Sequence, residues 1–197
     1  MQSPARWLTS TEFNHSKEQH LSTKIPGVSR AHTELLGILP QTPYPEPETL
    51  QHIVVAETAR HSLIRQMYLT GQYQWGIVFG ERDGGILSIT HFAPNAPRFE
   101  KPDRRPFQRD TRYLLGYADS LLASHHGHVD WAGHWLVRPN SQLMTQHEEL
   151  VWLKEAADQG QIDSQTPLIT AGWQDGEIVI NAYKFIDGDP VRLSVTD

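Results

Sequence analysis

The sequence predicts an α/β domain, a mixed β-sheet flanked by helices, preceded by an extended N-terminal arm. Three observations carry that prediction. Short β-type runs alternate with helical periods in the order β α β β α β α β β. The pairs Asp83-Gly84 and Asp175-Gly176 each stand between two strand-like runs, where the positive φ that Asp and Gly tolerate suits a tight hairpin. Four prolines between Pro40 and Pro47 resist both helix and central strand, and they set an arm of residues 1–48 apart from a domain of residues 49–197.

Within the arm no period is sustained, apart from a short element around Thr33–Ile38. Trp7, Leu8, Phe13, Leu35, Leu36 and Ile38 nevertheless give it apolar side chains, so it is expected to dock on a surface. The domain opens with a β-type run, His52–Ala56. A helix follows from Glu57 to about Thr70, because Ala59, Leu63, Ile64 and Met67 recur at helical spacing and Gly71 sits where a helix end wants it. Residues 75–80 and 85–92 form the first hairpin. Residues 112–124 read as a second helix with Leu114, Leu115, Ala118, Leu121 and Leu122 on one face, residues 128–137 as a strand, and residues 145–159 as a third helix. Residues 167–173 and 177–185 make the last hairpin, while Asp187-Gly188-Asp189 is turn chemistry.

Bulk composition excludes several classes of chemistry. There is no cysteine, so disulfides, thiolate zinc sites, iron–sulfur clusters and cysteine nucleophiles are ruled out, and a cytoplasmic setting fits. The net charge of −6 argues against nucleic acid as the main partner. No apolar run approaches the roughly 18 residues of a membrane span, and the start MQSPARWLTSTEF lacks the apolar core of a signal peptide. The segment from Arg98 to Arg109 holds five basic residues in twelve, readable as a solvated loop or as an anion contact.

The chemically suggestive stretch is Gly133-His-Trp-Leu-Val-Arg-Pro139, together with Gly76 and Gly80 upstream and a helix start near Thr145 downstream. This frame resembles the JAB/MPN (JAMM) domain family of zinc isopeptidases, over roughly residues 50–186. The resemblance implies a cytidine-deaminase-like α/β architecture. It also implies a reaction in which two His and an Asp hold Zn²⁺, a Glu acts as general base, and a Ser assists the oxyanion. In this chain Tyr73 occupies the Glu position, Leu136 and Arg138 the His positions, Gln146 the Ser position and Glu149 the Asp position. Leucine has no lone pair, arginine repels a cation, and a phenol with a pKa near 10 is a poor base. The frame is kept and the zinc chemistry is lost.

The expected role is therefore that of a non-catalytic scaffold or binding subunit with no cofactor. Its binding groove would lie at Tyr73, Trp135, Leu136, Arg138, Gln146 and Glu149. The resemblance implies a protein partner, either a ubiquitin-like protein or another JAB/MPN subunit, and it allows a homo-oligomer. Two enzymatic alternatives stay open. One is a peptidase or isopeptidase with zinc relocated to His134, His147, Glu149 and Asp130, since strand alternation puts His126, His128, Asp130, His134, Leu136 and Arg138 on one face. The other is a metal-free enzyme with Tyr73, His134 and Glu149 as acid–base groups. Against these, His134 alone reads as a packed histidine, the tryptophans as core, and Arg138 as an ion pair with Glu148 or Glu149 or as a carboxylate clamp.

Overall fold

In the computed structural model, residues 28–38, 49–69, 71–96 and 106–196 are described. The elements run α1 (Arg30–Leu36), β1 (His52–Val55), α2 (Glu57–Met67), β2 (Gln74–Asp83), β3 (Ile86–Pro94), α3 (Thr111–Ser124), β4 (Asp130–Val137), α4 (Gln146–Asp158), β5 (Leu168–Gln174), β6 (Glu177–Ile186) and β7 (Asp189–Thr196). The helices and hairpins fall where residue periodicity places them. Gly84 and Gly85 turn the first hairpin at φ 53° and 76°, and Asp175 and Gly176 turn the second at 53° and 87°.

The expectation of an open mixed sheet flanked by helices, in the JAB/MPN (cytidine-deaminase-like) arrangement, is corrected by the strand order. The seven strands form a closed barrel in the order β1-β3-β2-β4-β5-β6-β7, shut by parallel pairing of β1 with β7. The strand that closes it, β7, follows a third positive-φ turn at Asp187 and Gly188. Val191, Leu193 and Val195 alternate with polar residues along it as in a strand, although only Leu193 of β7 is buried. Closure pairs every strand on both sides and removes the exposed edges that an open sheet would present.

Alternation along the strands sorts the interior into three clusters. One face of the barrel joins Val78, Ile89, Phe92, Trp135, Ile169 and Leu193 to Ala59, Leu63 and Met67 of α2. The other face divides between two sets of helices. Ile77, Phe79 and Trp131 pack under α1 and α3, and Trp75, Leu136, Leu168 and Tyr183 pack under α4. Two β-bulges break the alternation. Phe79 faces His91 while Gly80 faces Ile89, which leaves Thr90 as the extra residue, and Val78 and Phe79 face Gly133 and Trp131, which leaves out Ala132.

Only part of the arm lies among the described residues. Arg30–Leu36 is helical and not extended, and it is fastened to the domain: Ala31 is fully buried, and Asp130 accepts the backbone N–H groups of Arg30 and Ala31 at 2.6 and 3.1 Å. Trp7, Leu8, Phe13, the Pro40–Pro47 run and the basic residues 98–105 lie outside the described residues. No helix among the described residues is long and apolar enough to cross a membrane.

Candidate functional site

The glycines and tryptophan of the frame form one physical unit. Trp135 lies across β2 and donates its indole N–H to the Ala93 carbonyl at 2.8 Å. A Cβ added at Gly76 would fall 1.9 Å from that carbonyl and 2.8 Å from the indole nitrogen. A Cβ at Gly133 would meet the Pro167 carbonyl at 2.6 Å. Both positions need glycine because backbone and ring approach too closely for any side chain.

The positions that would carry chemistry are filled differently. Tyr73 packs edge-on against Trp152 of α4, with ring centroids 4.9 Å apart. Leu136 is fully buried in the same cluster, with Trp75, Phe107 and Leu153. Trp135, one residue earlier, faces the opposite side of the barrel, so the six groove residues do not share one surface. Gln146 is exposed on the first turn of α4.

Arg138 lies just past the end of β4 and meets Glu148 at 3.3 Å, the structural one of its two readings. Glu148 also accepts from the Thr145 backbone N–H at 2.8 Å and hydroxyl at 2.9 Å, completing a capping box at the start of α4. The Thr145 N–H first, then its hydroxyl, and more weakly Arg138 hold the Glu148 carboxyl below its ordinary range.

Glu149 is the most elaborated polar group of the region. It is 1% exposed and accepts from Thr170 Oγ at 2.5 Å, Asn181 Nδ2 at 2.8 Å and Tyr183 OH at 2.6 Å. Arg192 donates to the Asn181 carbonyl oxygen at 2.6 Å, which turns the amide N–H toward Glu149. Thr170 and Asn181 face each other in the β5–β6 register, and Tyr183 follows two residues on. Burial first, then the bond to Glu149, pushes the Tyr183 phenol up to about 12. Three donors satisfy a buried carboxylate that would otherwise be costly to hold away from water.

The relocated metal set is not assembled. His134 is fully buried beside Trp131 (5.2 Å between centroids) and Phe107 (6.2 Å). His147 is exposed, Asp130 caps α1, and Glu149 belongs to the β5–β6 network. Among the described residues no three His, Asp or Glu side chains converge as metal ligands. Strict alternation from Asp130 to His134 is interrupted by the Ala132 bulge. Burial above all, and then the Arg109 cation, holds the His134 imidazole down to about 3, so it is neutral near pH 7. Neither ring nitrogen of His134 has a well-formed hydrogen bond. Of the Tyr73, His134 and Glu149 trio, Tyr73 packs on Trp152, His134 on Trp131 and Phe107, and Glu149 accepts from Tyr183.

Sequence reasoning missed the partners of Glu149. Their signal was present as polar residues inside two apolar strands, Thr170 in LITAG and Asn181 in VINAY.

No family model and no curated protein matches the chain. Among solved structures it resembles the solution structure of protein DSY2949 from Desulfitobacterium hafniense, with a TM-score of 0.52 at 11% identity. The match covers 73% of this chain and 91% of that one. At that identity the likeness concerns the fold alone.

Proposed function

We propose that this chain is a non-catalytic binding or scaffold subunit whose partner is a protein. The observation that carries the reading is the engagement of Glu149. It is the one frame position with ligand character, and its carboxylate is turned into the core and held by Thr170, Asn181 and Tyr183. The neighbouring positions support it, since Leu136 is core and Arg138 neutralises Glu148. A hydrolytic site needs a polarising group and a base that face a common substrate space. Tyr73, Arg138 and Glu149 instead meet different partners within the fold.

A ubiquitin-like protein and another subunit of similar frame are the first partners to test, and a cytoplasmic setting belongs to the same proposal. The net charge of −6 disfavours nucleic acid. The test is a titration of isotope-labelled full-length chain with ubiquitin, followed by NMR, beside sedimentation of the chain alone. Saturable shifts clustered on one surface support a binding role toward that partner. Cleavage of a ubiquitin-linked substrate by the purified chain overturns the non-catalytic reading.

A further inference from the structure

We propose that His91 and His125 form a binding site for a divalent transition-metal ion of the zinc class. The site is built on β3 and the end of α3, elements that contribute nothing to the Glu149 network. The two rings stand with centroids 5.6 Å apart and planes at 76°. Two imidazoles sharing one tetrahedral ion at Zn–N distances of ~2.0 Å have ring centroids about 5 Å apart. The observed pair is close to that spacing before any ion is added.

The hydrogen bonds around His91 fix which nitrogen is free. The Thr90 hydroxyl donates to the Phe79 carbonyl at 3.3 Å, and His91 Nδ1 lies 3.0 Å from the same hydroxyl oxygen. A hydroxyl has one proton, so toward His91 it acts as acceptor and the ring carries its hydrogen on Nδ1. Nε2 then holds the lone pair. This is the arrangement of a metal-binding histidine, oriented by a polar group on its far nitrogen. The Thr90 bulge supplies that hydroxyl and aims His91 outward, a use to which bulges are often put.

On the other side the end of α3 is pinned: His125 N–H bonds the Leu121 carbonyl at 2.9 Å and Gly127 N–H the Leu122 carbonyl at 2.8 Å. The same turn carries His126 and His128, both exposed. Among the described residues no third ligand already converges, so the pair supplies two ligands, and water or a turn histidine supplies the rest.

The experiment is calorimetric titration of Zn²⁺ into tag-free, chelator-stripped full-length chain at neutral pH. One ion per chain is expected. His91→Gln and His125→Gln should each weaken binding about tenfold or more, and Thr90→Val, which releases the Nδ1 proton, by about 10–100-fold. Thermal melting of each variant checks that it folds. A measurement on the unaltered chain stands beside them: on adding Zn²⁺, the His91 Nε2 resonance should move while its Nδ1–H is retained. No zinc binding, binding unaffected by His91→Gln and His125→Gln, or binding lost only in the His126→Gln/His128→Gln double variant would overturn the site. In each of those outcomes the ring pair is an aromatic contact only.

Discussion

The Tyr183 hydroxyl of β6 donates to Glu149 Oε2 of α4 at 2.6 Å, joining a helix to the barrel through a buried carboxylate. Thr170 and Asn181 both donate to the other oxygen. Glu149→Gln must therefore turn an NH₂ group toward at least one donor and leave donors unpaired in the core. Bonds to a charged acceptor are worth about 1.5–3 kcal/mol each. The variant should lose about 3 kcal/mol of stability in urea unfolding. A loss within about 0.5 kcal/mol would mean that the network is not formed.

Arg138→Ala should behave differently despite its place in the same frame. Its ion pair with Glu148 is partly exposed, with the two side chains 28% and 38% accessible. Such pairs contribute about 0–1 kcal/mol and weaken with salt. Urea unfolding at low and at high salt should give a small loss that shrinks as salt rises.

Leu136→His should destabilise the chain. It places an imidazole in an apolar cluster where the leucine is fully buried. The lost burial and the unpaired polar ring together should cost about 2–5 kcal/mol, read as a fall in melting temperature.

Acid stability should be governed in part by His134. Its folded pKa is held down to about 3, below the 6.5 of the unfolded chain. Between those values the unfolded state binds the proton and the folded state does not. Stability is therefore complete above about pH 6.5 and falls with pH toward 3, by up to ~1.4 kcal/mol per pH unit from this group. Urea midpoints measured across that window should flatten in His134→Leu. An unchanged slope would show that the ring is not buried as neutral imidazole.

Gly76→Ala should be among the most damaging small substitutions, since the added methyl would overlap the Ala93 carbonyl at 1.9 Å. A cost of at least about 3 kcal/mol, or failure to fold, is expected from expression and melting.

The parts of the fold legible in the sequence were those with a local cause. Asp-Gly pairs marked two hairpins, and leucine spacing marked α3. Barrel closure was not legible, because the pairing of β7 with β1 joins residues far apart in the chain, His52 with Ser194. The site was half legible. Arg138 reads from the sequence as an ion pair with Glu148 or Glu149 or as a carboxylate clamp, and the folded chain pairs it with Glu148 at 3.3 Å. The grouping of Asp130 with His134 and Leu136 failed because a single extra residue, Ala132, shifts the phase of β4 between them. The partners of Glu149 lie 21 to 34 residues further along, on strands whose register only the folded barrel fixes.

The most direct test of the central claim is a turnover assay. Full-length chain supplemented with Zn²⁺ is incubated with an isopeptide-linked ubiquitin substrate, beside the Tyr73→Phe and Arg138→Gln variants. Tyr73 packs against Trp152 and Arg138 pairs with Glu148. No turnover above the protein-free background is predicted for any of the three. Turnover by the parent chain that either variant removes would show a working active site at this frame and contradict the account.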